Sequence, residues 1–178
     1  KLNTTKKENL EILSFKHTKR KKQNIAARLL LNVMAKKKIK LNYSKKGAPY
    51  CNQFANISIS HSSNYCIVAV SDQPIGVDIQ YYRQNISKLN HKFMNEHEQL
   101  YSDKNIIKSH LIWCAKEAIY KTTSGEFCSF KQNICIEKVT ENKTTNGYYI
   151  NKDIKTKYNV YCKRFENYFM SIVFIKNA

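Results

Sequence analysis

Apolar positions along the chain change their period from helical to strand-like and back. From Ile25 the spacing is helical, with Ile25, Leu29 and Val33 on one stripe and Ala26, Leu30 and Met34 beside it. The cations Lys36–Lys38 suit the negative end of that helix, and Gly47-Ala48-Pro49 marks a loop. The segments Asn56–Ser60, Tyr65–Val70 and Ile75–Gln80 predict short strands, separated by turn chemistry at Ser62-Ser63-Asn64 and Asp72-Gln73-Pro74. Helices are expected again over Phe93–Tyr101 and Ile106–Thr122. In the second, Ile107, Leu111, Cys114 and Ala118 make one apolar stripe, and Gly125 offers a stop. The remainder, Asn133–Val139, Tyr158–Arg164 and Tyr168–Ile175, reads as a three-stranded meander with a turn near Asn146-Gly147. With no Pro/Gly/Ser-rich linker and no repeat, the pattern predicts an α+β fold with elements in both halves.

Composition adds one anomaly. The 178 residues are 42% hydrophobic and 12% aromatic, which excludes disorder, yet the formal net charge is +18. Such an excess points to nucleic acid, an anionic surface, an acidic protein or a ligand carrying several phosphates. Only Arg20, Arg28, Arg83 and Arg164 are arginines. Because guanine edges are read by bidentate arginine, sequence-specific DNA readout is disfavoured, whereas non-specific binding is not. The six cysteines form no C-x-x-C pair, so they are expected reduced and packed as small hydrophobes rather than bound to zinc. No apolar run reaches the roughly 20 residues of a membrane span and no secretory signal is visible, so a cytoplasmic monomer is expected. The chain starts at Lys1, not Met, and a truncated or atypical N-terminus is expected.

Three segments carry candidate chemistry. In Gly76-Val77-Asp78-Ile79-Gln80, strand alternation puts Asp78 and Gln80 on one face, two oxygen donors suited to a hard cation such as Mg²⁺ or to a plain solvent-facing strand surface. In Trp113–Lys121, the residues Trp113, Glu117 and Lys121 recur at helical spacing beside the apolar stripe. They sit at the rim of a site or form an ordinary Glu–Lys surface pair. In Asn56–Ser62, Ser60, His61 and Ser62 enter a turn where hydroxyls, imidazole and backbone donors converge on a phosphate, or serve the turn itself. No nucleophile elbow or third triad member accompanies them, which excludes serine hydrolysis.

Together, Asn-Ile-Ser-x-Ser-His-Ser, Gly-Val-Asp-Ile-Gln, Phe-Met-x-x-x-Glu (Phe93 to Glu98) and Trp-Cys-x-Lys-Glu-Ala-x-x-Lys resemble the 4′-phosphopantetheinyl transferase superfamily. The order and spacing look like the single-chain type that activates carrier proteins of peptide, polyketide or fatty-acid synthases. The resemblance implies two similar α+β halves related by a pseudo-twofold, here residues 1–74 and 75–178, with the cleft between them active. It implies a Mg²⁺-dependent reaction, with Mn²⁺ the alternative metal. The phosphopantetheine arm of coenzyme A moves to a serine of an acidic acyl or peptidyl carrier protein, releasing 3′,5′-ADP, as in holo-[acyl-carrier-protein] synthase.

Carried over by position, Asp78 and Glu117 match metal ligands, and Gln80 stands where many members have a further carboxylate, so it binds weakly or through water. Lys121 matches the phosphate-contacting lysine and shares the catalytic role with Glu117, which accepts the serine proton. Ser60 and His61 match coenzyme A contacts, and Asn24 aligns where a hydroxyl residue touches phosphate. Lys116 belongs to the motif without an assigned role, and Cys114 is expected to pack. Ala48 and Gln23 replace basic residues common at their positions. The alternatives are a non-catalytic homologue that binds coenzyme A or a carrier, and a basic nucleic-acid-binding module.

Overall fold

A computed structural model describes residues 6–123, 125 and 128–176; the first five residues, where the expected atypical N-terminus falls, lie outside it. It is an α+β fold. Helices α1 (Lys6–Ser14) and α2 (Thr18–Ala35) precede two short strands, β1 (Asn42–Tyr43) and β2 (Pro49–Tyr50), and a hairpin of β3 (Asn56–Ser62) and β4 (Tyr65–Ser71). Next come β5 (Ile75–Tyr81), a short 3₁₀ turn at Ile86–Leu89, α3 (Asn90–Phe93), α4 (Glu96–Ser102) and α5 (Ile106–Thr122). The chain ends in α6 (Phe130–Asn133), β6 (Ile134–Ile136), β7 (Lys143–Asn151), β8 (Ile154–Phe165) and β9 (Tyr168–Ile175).

The main sheet is antiparallel in the order β5-β9-β8-β7-β6. Its inner face packs on α5, whose Leu111, Ala115, Ala118 and Ile119 meet Ile136, Val160 and Val173 in one core. The expected meander therefore has four strands, β6 to β9, with β5 completing the sheet beside β9. Asn146-Gly147 is not a turn but the middle of β7. A Cβ at Gly147 would stand 2.7 Å from Ile119 and 2.8 Å from Val160, so the glycine makes room for the helix. The real reversal lies at Lys152, in a left-handed conformation (φ 53°) between β7 and β8.

Two further expectations change. The helix expected from Ile25 begins at Thr18, so the basic run Lys19–Lys22 is helical. Its buried residues are Ala27, Arg28 and Leu31, whereas Leu29 and Val33 are 44% and 75% exposed. Apolar residues occur on both sides of this helix, and periodicity alone could not choose between them. The helix expected over Phe93–Tyr101 breaks at Met94–Asn95, because Asn95 and Glu98 form a reciprocal capping box. The Asn95 side chain accepts the Glu98 N–H at 2.8 Å, and the Glu98 carboxylate accepts the Asn95 N–H at 2.9 Å.

The hairpin joins the main sheet without strand pairing. β5 is an edge strand, and its N–H groups at Val77, Ile79 and Tyr81 are not claimed by β9. They donate instead to the hydroxyls of Ser58, Ser60 and Ser62, at 3.0, 3.2 and 2.8 Å. Alternation along β3 places the three hydroxyls in register with alternate residues of β5, which satisfies a sheet edge that would otherwise bury open donors.

Candidate functional site

Where β5 meets α5, one contact sets the distance between them. A Cβ on Gly76 would lie 1.9 Å from the Ala118 carbonyl oxygen. The glycine is therefore required for close helix approach rather than for flexibility, and it brings Glu117 and Lys121 against Asp78. Gly76→Ala is expected to cost about 2–3 kcal/mol or more, since backbone rather than a side chain must yield. A urea-unfolding midpoint equal to that of the parent protein would contradict this packing.

Asp78 is 2% exposed. Lys121 Nζ lies 2.7 Å from its Oδ1 and also donates to the Val77 carbonyl at 2.8 Å. Ser60 donates to the same Oδ1 at 2.7 Å, and the Gln80 amide nitrogen donates to Oδ2 at 3.2 Å. The face shared by Asp78 and Gln80 is thus turned inward, not to solvent. Glu117, one helical turn before Lys121, is half-buried. Burial first, and then the charge of Asp78, push its carboxyl up to about 7, while Lys121 pulls it down.

Two carboxylates in mutual repulsion, with an ammonium paired to Asp78 and an amide alongside, make a hard oxygen donor set that a divalent cation would stabilise. Among the described residues no three His, Cys, Asp or Glu side chains converge. A cation here would then keep positions for water and phosphate oxygens, which suits Mg²⁺. Asp78, Glu117 and Gln80 fit such an ion.

On the other side of β3 lies a cavity of about 390 Å³ lined by residues including Phe15, Arg20, Asn24, Gly47, Pro49 and His61. His61 Nε2 is 3.1 Å from the Arg20 guanidinium, and burial, with Arg20 and Lys121 nearby, holds the imidazole below its ordinary pKa. The Asn24 side chain accepts from the guanidinium of Arg28, which is buried beneath it. A smaller hollow of about 240 Å³ at Ala48, Asn56 and Ile75 reaches Lys121.

Three side chains of consequence, Lys116, Glu98 and His110, had no assigned role in the sequence. Lys116 is fully buried and ion-paired with Glu98 at 2.7 Å, and it donates to the carbonyls of Phe130 and Ile134 at 2.7 and 2.5 Å. It ties α5 to α4 and β6; Asn95-x-x-Glu98 was the visible sign that Glu98 was structural. His110, also buried, accepts the Arg83 N–H at Nε2 (2.8 Å), so its proton sits on Nδ1 and bonds the Ile106 carbonyl. It lies stacked between Tyr82 and Phe169 and fixes the loop after β5. Cys114 is fully buried, its thiol pushed up by burial, and it donates to the Phe169 carbonyl, as packing requires.

A family model for the 4′-phosphopantetheinyl transferase superfamily matches residues 74–173, which contain β5 and α5. No curated protein matches the chain.

Proposed function

Since the chain belongs to the 4′-phosphopantetheinyl transferase superfamily, we propose that it transfers the phosphopantetheine arm of coenzyme A to a serine of an apo carrier protein. The observation that carries this reading is the convergence of Asp78, Glu117 and Lys121 where β5 meets α5. Residues 1–74 and 75–178 are the two halves in this reading, each with a long helix on antiparallel strands. The nucleotide end of coenzyme A enters the cavity at His61 and Asn24. Residues 12–71, which supply every wall of that cavity, contain no Asp or Glu, the setting a multiply phosphorylated ligand needs.

In this mechanism Asp78 and Glu117, with Gln80 as a weaker or water-mediated donor, would hold Mg²⁺. When bound, the ion neutralises pyrophosphate and the charge developing on it. Lys121, whose side chain is 26% exposed, keeps Asp78 in place and offers its ammonium to the phosphate oxygens. Glu117 takes the proton from the carrier serine hydroxyl, whose oxygen bonds to the phosphorus bearing the pantetheine arm. The bond from that phosphorus to the bridging oxygen breaks, and the electron pair leaves with 3′,5′-ADP. Neutral His61 steadies Arg20 at the cavity rim.

Magnesium and protons compete for Glu117 in this reading. Affinity of the free protein for Mg²⁺ is expected to rise between pH 6 and 7 and flatten above about pH 7.5, with proton release on the acid side. Isothermal titration at several pH values checks it; an affinity constant across the range would remove Glu117 from the ligand set. Gln80 and Ala48 favour a second reading, a homologue that binds coenzyme A or a carrier without transfer. The mass of an apo carrier protein after incubation with coenzyme A and Mg²⁺ separates the two.

A further inference from the structure

We infer that Ser60 is a positioning residue for Asp78 and not a direct contact for coenzyme A. The inference rests on the metal site proposed above. A serine hydroxyl has one proton to give and can accept through its lone pairs. Ser60 gives its proton to Asp78 Oδ1 at 2.7 Å and accepts the Ile79 N–H at 3.2 Å. It is only 6% exposed. Nothing remains of its donor capacity for a phosphate. Its neighbour His61, one residue on and so on the opposite side of β3, lines the 390 Å³ cavity, whereas Ser60 does not.

Ser58 and Ser62 provide the internal comparison. Each accepts one β5 N–H, as Ser60 does, but neither touches Asp78. The row as a whole clamps the hairpin to β5, and Ser60 alone turns that clamp into control of a carboxylate. Ser60 and Lys121 hold Oδ1 while Gln80 holds Oδ2, which fixes the carboxylate plane. Groups that orient a ligating carboxylate from outside are typically worth about 10- to 100-fold in metal affinity.

Magnesium titrated calorimetrically into the full chain without coenzyme A tests this, using the parent protein, Ser60→Ala and Ser58→Ala. Ser60→Ala is expected to bind Mg²⁺ about 10- to 100-fold more weakly, and Ser58→Ala within about threefold of the parent. In turnover assays, Ser60→Ala should lose kcat at low Mg²⁺ and regain it at high Mg²⁺, with KM for coenzyme A within about twofold of the parent. Unchanged Mg²⁺ affinity with a raised KM would make Ser60 a substrate contact and overturn the inference. Equal weakening in both alanine variants would reduce it to a structural clamp and overturn it as well. A parent protein that takes up no Mg²⁺ would instead remove the metal site itself. If Ser60→Ala fails to fold, Ser60→Cys keeps the bulk, weakens the donor and is read against the same outcomes.

Discussion

Glu117→Gln is expected to lower kcat about a thousand-fold while leaving the fold intact or firmer. The loss follows from the two roles proposed for one carboxylate, proton acceptor and metal ligand, either of which accounts for a factor of 100 or more. The stability effect has a definite sign. Folding raises this carboxyl from the ordinary 4.5 to about 7. Between those values the folded chain keeps a proton that the unfolded chain gives up, so stability falls as pH rises through that window. The penalty is complete above about pH 7 and absent below about pH 4.5. Glutamine resembles the protonated form and cannot charge. The metal-free variant should therefore gain on the order of 1–2 kcal/mol over the parent at pH 8, and nothing at pH 4. Denaturant unfolding at both pH values in a chelator reads this directly. A variant destabilised equally at both would mean that Glu117 is held by bonds its amide cannot replace.

Lys116→Met should be the most destabilising single change, at about 3–5 kcal/mol. Both Lys116 and Glu98 are fully buried. Burial pushes Glu98 up and Lys116 down, and each partner pulls the other back toward its charged form. Glu98 also accepts the N–H groups of Ile136 at 2.7 Å and Asn95 at 2.9 Å. Removing the ammonium strands a carboxylate in the core and leaves two carbonyls without their donor. For a domain with about 5–15 kcal/mol in total, that is about a fifth or more of its stability, a fall of about 6–20 °C in Tm. The double variant Glu98→Gln/Lys116→Met should recover much of the loss, because no charge stays behind. If it melts no higher than Lys116→Met alone, the pair is not what joins α4, α5 and β6.

The spacing of the candidate site residues was readable because local periodicity determines it. Asp78 and Gln80 share a face by strand alternation, and Glu117 and Lys121 share a stripe by helical repeat. The family motifs added the order of those segments. What the sequence hid was pairing across distance. The clamp made by the serine row of β3 was hidden because its partners on β5 are 19 residues away. Lys116 had no visible role because Glu98, Phe130 and Ile134 reach it from three separate elements. Glycine was read as a breaker at Asn146-Gly147, whereas its missing Cβ is what α5 packs on. On α2, Leu29 and Val33 had as good a claim to the core as Ala27 and Leu31, and the hairpin beneath the helix decided between them. The positive charge is now placed more sharply, in a stretch from residue 12 to 71 with no carboxylate at all.

The central claim is transfer, and the mass of a carrier protein tests it most directly. The full chain is incubated with coenzyme A, Mg²⁺ and each of a panel of apo carrier proteins. At least one carrier should gain the mass of a single phosphopantetheine, and none should gain it with Asp78→Ala or Glu117→Ala. An unchanged mass across the whole panel, or full transfer by either variant, would contradict the account.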